Sequence, residues 1–162
     1  NICEETLFTI TGETKAPKVY KILFLDHENN CQSQIAEAAA RRAFPHGGEF
    51  SSAGRSNAAE LKPGLFQFME SQGLAVGPIR PKVLEPDVEK AAGYDVIVSL
   101  EGPVSEYLPG QPFRTVFLEW DVGSLPEGAG EADAEKTYLP MYREINARVR
   151  DLMETLRGEE AN

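Results

Sequence analysis

Residues 20–38 constrain the fold most, because an apolar run, a short polar loop and an alanine-rich stretch follow one another directly. The apolar run, 20–25, predicts a buried parallel strand. Ser33 is placed to be the N-cap of a helix that continues to about Phe44. A strand, a tight loop and a helix N-terminus bring unpaired backbone N–H groups and the positive end of the helix dipole to one place. The sequence therefore predicts an anion-binding loop between this strand and this helix.

The rest of the chain alternates between strand and helix patterns. Segments 49–53, 94–100 and 113–120 have strand patterns, and the last two run continuously apolar, as in strands covered on both faces. A helix is predicted to open at Pro63 and to end at Gly73. Its predicted buried side is formed by Leu65, Phe66, Phe68 and Met69, and a long last helix carries a stripe of Ile145, Val149, Leu152 and Leu156. This order predicts an α/β fold, a parallel sheet between two layers of helices, with ligands bound at the C-terminal ends of the strands.

Composition narrows the class of protein. The chain has 162 residues, enough for one domain with a proper core, and 41% of them are hydrophobic. A net charge of −10 argues against binding to nucleic acid or to an anionic membrane surface. We find no signal peptide and no apolar run of the ~20 residues that a membrane span needs. Because Cys3 and Cys31 offer no disulfide framework, we expect a cytoplasmic protein.

The first residues differ in character from the remainder. Residues 1–18 combine a short β-like run with a linker-like segment, so we expect an N-terminal extension or linker followed by one domain over 19–158. Because the sequence starts with Asn1, we interpret it either as a domain of a longer protein or as a trimmed sequence.

Several separate pieces of the chain, in their order and spacing, form a family pattern. They are the strand at 22–25, Asn29 and Ser33 in the loop, the helix start at 34–38, and the segments 52–54, 73–74, 80–82, 94–99 and 119–122. Together, over about 19–157, they resemble the low-molecular-weight protein tyrosine phosphatase family, including its arsenate reductases. The resemblance implies a three-layer sandwich around a four-stranded parallel sheet of order 2-1-3-4.

The positions that carry chemistry in this family hold other residues here. The resemblance implies a nucleophilic cysteine where this chain has Asp26, and a phosphate-clamping arginine where it has Gln32. The family's general acid, an aspartate followed by proline, falls near Ser124, where there is no aspartate. The cysteines that relay oxidation in the arsenate reductases, between the third and fourth strands, are also missing.

Two functions remain open. We expect a catalytically inactive phosphatase-like domain, without a cofactor, that acts as a binding or regulatory module for an unknown protein or for other domains of a longer chain. The alternative is an active phosphatase or arsenate reductase-type enzyme with a rebuilt site, in which Asp26 is phosphorylated.

The predicted ligand-binding loop consists of eight consecutive residues: Asp26, His27, Glu28, Asn29, Asn30, Cys31, Gln32 and Ser33. A carboxylate about 4 Å from a phosphate repels it by a few kcal/mol per charge pair at an effective dielectric near 20, so we expect weak phosphate binding. We favour an Asp26 carboxylate that fills the anion site itself, which would lower its pKa.

Other residues around the loop have two interpretations each. Cys31 is either a small, partly buried loop residue, which we favour, or a redox-sensitive thiol with a lowered pKa. Arg55, Trp120 and Asp121 are candidates for the mouth of the pocket. For Arg55 we favour the alternative of a solvent-exposed loop arginine, and Trp120 fits a core residue as well. We predict no metal site, because three successive loop residues rarely direct their side chains at one ion.

Overall fold

A parallel sheet organises the computed structural model of the chain, which describes residues 18–56, 60–74, 79–123, 125 and 133–161. Within this part the strands are β1 (Tyr20–Leu25), β2 (Gly48–Ala53), β3 (Val96–Ser99) and β4 (Val116–Glu119). Their order is β2-β1-β3-β4 and every pairing is parallel, which confirms the predicted fold class and the predicted 2-1-3-4 order. Leu25 lies opposite both Ala53 and Ser99, so the C-terminal ends of three strands meet where the loop after β1 begins.

Helices cover both faces of this sheet. They are α1 (Gln32–Ala43), α2 (Leu65–Ser71), α3 (Val88–Ala91) and α4 (Ala134–Ala161), with a 3-10 turn at Val104–Glu106. Successive side chains of a strand point to opposite faces. In β1, Ile22 and Phe24 therefore join a core with α1, α2 and α4, whereas Leu23 and Leu25 join a smaller core with α3 and the 3-10 turn.

The predicted helix faces are mostly confirmed. In α2, Leu65, Phe68 and Met69 are buried, whereas Phe66 is only partly buried. This helix begins two residues after Pro63, and Gly73 follows its end with a positive φ of 73°. The stripe on α4 also packs into the larger core. None of the helices in the described segments is long and apolar enough to cross a membrane.

Two local predictions are wrong. Ser33 is not the N-cap of α1: the cap is Cys31, which makes no side-chain capping hydrogen bond, and Ser33 lies in the first turn. The fourth strand is not covered like the third, since Val116 is 50% exposed and Phe113, outside the strand, is 96% exposed. The reason is position, because β4 pairs only with β3 and lies at the edge of the sheet. The predicted extension lies, apart from Lys18, outside the described residues.

Candidate functional site

Asp26 stands directly after β1, at the centre of the candidate site. Its side chain is fully buried, and Oδ2 accepts the backbone N–H of Ser33 at 2.8 Å and that of Cys31 at 3.4 Å. These are N–H groups at the start of α1, where the dipole of the helix favours a negative charge. The carboxylate of Asp26 therefore occupies the anion site that its own loop forms.

The other oxygen of this carboxylate has a different environment. Oδ1 is buried and has no hydrogen-bond partner among the described residues. Burial raises the pKa of Asp26, and the negative charge of Glu101 adds to the increase, against the lowering effect of the hydrogen bonds with Ser33. The prediction that the loop N–H groups would lower this pKa is therefore wrong, because removal of the carboxylate from water has the larger effect.

A second carboxylate, Glu101, also enters the loop. The backbone N–H of His27 donates to Glu101 Oε1 at 2.8 Å. Glu101 was not predicted from the sequence, although its place just after β3 puts it at the same edge of the sheet as Asp26. The consequence is that three N–H groups of the loop, those of His27, Cys31 and Ser33, are bound by carboxylates of the chain itself.

The imidazole of His27 lies between two acidic side chains. Its Nδ1 is 3.4 Å from Glu101 Oε1, and its Nε2 is 3.0 Å from Glu106 Oε1. Arg55, a candidate for the mouth, is exposed, and its Nη1 lies 3.5 Å from the same Glu106 oxygen. The Arg55 guanidinium is thus directed at this acidic group beside the loop.

Gln32 stands at the position where the family resemblance implies an arginine, and it borders the site together with Glu101. It is 4% exposed, and its Nε2 donates to the carbonyl of Gly123 at 3.2 Å. A cavity of about 160 Å³ remains, lined by five loop residues together with Lys62, Glu101 and Leu125. Lys62 is a second residue that was not predicted, since nothing in its local pattern marks it.

The path of the loop is held by Asn29. This residue has a φ of 53°, in the left-handed region that asparagine tolerates better than most residues. Its Oδ1 accepts from Gln34 Nε2 at 2.9 Å and from the Lys82 N–H at 2.8 Å, and its Nδ2 donates to Ser33 Oγ at 2.8 Å. All of these contacts are made within the chain, and together they fix the backbone of the loop.

Cys31 is a buried part of the core. Its side chain has no exposure, and Sγ lies 3.9 Å from Met141 Sδ. Burial, with a contribution from the charge of Asp26, raises the pKa of the thiol. This is opposite to the lowered pKa that a redox-sensitive thiol requires, and it supports the interpretation as a structural loop residue.

The remaining predicted residues each have their own partners. The Asn30 amide donates to exposed Glu28 at 3.4 Å, Trp120 packs 6.0 Å from the ring of Phe24, and Asp121 accepts the Gly123 N–H at 3.1 Å. Trp120 is therefore a partly buried core residue, and Asp121 stabilises a turn. Ser124 lies outside the described residues. In the described part of the chain, no group of three or more His, Cys, Asp or Glu side chains is arranged to hold a metal ion.

The sheet order and the loop between β1 and α1 define a three-layer α/β domain with a phosphate-type loop. The chain belongs to the family described as low molecular weight phosphotyrosine protein phosphatase, whose model matches residues 21–162.

Its relatives include enzymes with different substrates. An arsenate reductase of Bacillus licheniformis is 25% identical over 135 residues, which cover 83% of this chain and 95% of that protein. Among solved structures, a thioredoxin-dependent arsenate reductase of Corynebacterium glutamicum has a TM-score of 0.69 at 24% identity, and the match covers 91% of this chain and 66% of the other. The tyrosine phosphatase Wzb of Escherichia coli, solved with sulphate, has a TM-score of 0.64 at 20% identity, covering 86% of this chain and 99% of Wzb. At these identities the solved structures establish the fold alone.

Proposed function

We propose that this domain does not hydrolyse phosphate monoesters or reduce arsenate, and that it serves as a binding module on the phosphatase scaffold. The observation that carries the proposal is the Asp26 carboxylate, which accepts the N–H groups of Ser33 and Cys31. In a phosphatase of this type the same N–H groups must be free to bind the oxygens of the substrate. With Asp26 in place, the donors are occupied before a substrate arrives.

The other groups around the loop support the same conclusion. Gln32 cannot supply the charge of an arginine, and its amide is already bonded to the Gly123 carbonyl. Glu101 accepts the N–H of His27, and its negative charge lines the small cavity that remains beside the loop. A dianion would meet occupied donors and an acidic wall.

The alternative enzyme would use Asp26 as a nucleophile. A nucleophilic carboxylate must be ionised and must reach the substrate phosphorus. Asp26 has no exposed surface, and burial raises its pKa. Both properties weigh against attack by this side chain.

Activity assays decide between the two functions. We expect the wild-type protein to release no p-nitrophenol from p-nitrophenyl phosphate, and to reduce no arsenate in the presence of thioredoxin, above the level of an Asp26→Ala variant. Turnover by the wild type that the Asp26→Ala change abolishes would reject the proposal and establish the alternative.

A rebuilding experiment serves as the positive control. The double variant Asp26→Cys, Gln32→Arg restores the nucleophile and the clamp that the family resemblance implies, with Asp26→Cys alone as its matched control. If the double variant releases p-nitrophenol and the single variant does not, the wild type is inactive because of these two positions and not because its scaffold is distorted.

A further inference from the structure

A second, larger cavity lies between α1, the end of α2 and the segment 79–82. Its volume is about 740 Å³, and it shares no lining residue with the small cavity at the loop. This volume is in the range of sites that take ligands, about 300–1,000 Å³. The family comparison and the candidate site leave this cavity without a role.

The floor of the cavity is apolar. It is formed by Met69, which is fully buried, by Leu74, which is 7% exposed, and by the partly buried Ile79. The apolar surface that a ligand can still cover belongs to Ile79 and to Ala38, which is also partly buried, and covering it with an apolar side chain gains free energy.

The rim is strongly basic, in contrast to the rest of the protein. Four cationic side chains line the cavity, Arg41, Arg42, Arg80 and Lys82, against the single carboxylate of Glu37. Four positive charges less one negative charge leave a local charge of +3, on a chain whose net charge is −10.

The carboxylate of Glu37 does not neutralise the positive charge of this rim. Glu37 is shared between Arg41, at 3.0 Å, and Lys82, at 3.8 Å. Arg42 donates to the backbone carbonyl of Gln72, a neutral group. Arg80 is exposed and forms no ion pair with any residue in the described segments. The guanidinium groups of Arg42 and Arg80 therefore have no carboxylate partner among the described residues.

We propose that this groove, lined by the apolar floor and the four cations, binds an acidic peptide of a partner protein, with an apolar side chain on the floor and flanking carboxylates against the rim. The charge complementarity selects this occupant: guanidinium groups bind carboxylates in bidentate pairs, and an apolar anchor fills the desolvated centre of an interface. Because no residue of the loop 26–33 takes part, this inference goes beyond the proposed inertness of the loop and does not depend on it.

A peptide selection tests the inference and does not require the partner to be identified. A phage-displayed library of random peptides is selected on the wild-type protein and on the double variant Arg42→Glu, Arg80→Glu. The matched control is the double variant Arg114→Glu, Arg150→Glu, which changes the net charge equally at exposed positions outside the groove. Circular dichroism establishes that each variant is folded.

We expect the wild type and the control to enrich peptides that carry Asp or Glu next to a large apolar residue. In fluorescence anisotropy, the synthetic consensus peptide should bind the groove variant at least about tenfold more weakly, equivalent to about 1.4 kcal/mol, and the control nearly as tightly as the wild type. If the groove variant does not fold, Arg80→Glu alone is used, and it should still weaken binding.

Three results would overturn the inference: no enrichment of acidic peptides, enrichment that survives the groove substitutions, or equal affinity for free glutamate. The last result would define a small-anion site instead of a peptide groove. None of these results bears on the phosphatase assays, so the two proposals fail separately.

Discussion

The side-chain amide of Gln32 donates to the backbone carbonyl of Gly123 at 3.2 Å, and so connects the start of α1 to the segment that follows β4. The family resemblance places the phosphate clamp on the first of these elements and the general acid on the second. Here they are bonded to each other, and the cavity between the loop and Leu125 is only about 160 Å³.

Loss of this bridge should destabilise the fold measurably. We expect Gln32→Ala to lower the free energy of unfolding by about 1 kcal/mol, because it removes a hydrogen bond and leaves the carbonyl of Gly123 without that donor. Urea denaturation measures the change. The control Gln67→Ala, at an exposed position of α2, should stay close to the wild type. Equal effects of the two substitutions would show that the bridge adds no stability.

The buried carboxyl of Asp26 should make stability depend on pH. Because burial raises the pKa of Asp26 above its ordinary value of 3.8, the folded protein keeps the proton at pH values where the unfolded chain has lost it. The contribution of this group is complete below the unfolded-state pKa and declines as pH rises toward the folded-state pKa. We therefore expect the wild type to lose stability relative to Asp26→Asn over that interval, by at most about 1.4 kcal/mol per pH unit.

Urea denaturation of both proteins from about pH 4 to about pH 8 measures this difference. The variant Asp151→Asn removes an equal charge at an exposed position of α4 and should show a nearly constant difference from the wild type. A wild type that gains stability relative to Asp26→Asn as pH rises would mean that the pKa of Asp26 is lowered instead.

Removal of the Asp26 carboxylate should open the loop to anions. We expect isothermal calorimetry to show tighter binding of inorganic phosphate to Asp26→Ala than to the wild type at neutral pH, because the N–H groups of Cys31 and Ser33 become free. The occupied N–H donors weaken phosphate binding whether or not Asp26 carries a proton. This reason for weak binding is independent of the charge repulsion between a carboxylate and phosphate. Asp151→Ala controls for net charge. Wild-type affinity equal to that of Asp26→Ala would contradict the view that this carboxylate occupies the anion site.

The thiol of Cys31 should be unreactive in the folded protein. Its sulfur is buried and its pKa is raised, so the thiolate that attacks alkylating agents is scarce. In a Cys3→Ser background, we expect iodoacetamide to label Cys31 slowly under native conditions and rapidly in urea, as followed by mass spectrometry. Equally rapid labelling without urea would restore the redox interpretation.

A side chain at position 54 should disturb the loop. A Cβ added to Gly54 would lie 2.7 Å from the backbone nitrogen of Asn29 and 2.8 Å from the carbonyl oxygen of Ser56, and neither backbone atom moves freely. We expect Gly54→Ala to destabilise the protein by about 1–3 kcal/mol, as overpacking does. At Gly158 a Cβ would have no atom of the described residues within 4 Å apart from its chain neighbours and the backbone of its own helix, so Gly158→Ala should be neutral or slightly stabilising. Thermal unfolding compares the two, and a harmless Gly54→Ala would show that the loop can move away.

The sheet could be predicted from the sequence because its signals are local: apolar runs, a glycine after α2 and a strand-loop-helix order that repeats. The location of the candidate loop followed from the same patterns. The position of Glu101 could not be predicted in this way, because its contact with His27 depends on the direction of one side chain across 74 residues of sequence. The direction of the Asp26 pKa shift could not be predicted either. It depends on whether desolvation or the N–H donors have the larger effect, and the sequence does not show how deeply the side chain is buried. The exposure of β4 depends on its place at the edge, and an apolar run does not reveal that.

Asn29 and Gly54 define the main-chain path of the loop from buried positions. Because the contacts of Asn29 do not involve the side chains of residues 26 and 32, we expect the loop backbone to keep its path when those two side chains are exchanged. The domain is therefore a suitable scaffold for protein engineering, in which new functional groups are introduced at positions 26 and 32 and the loop backbone is left unchanged.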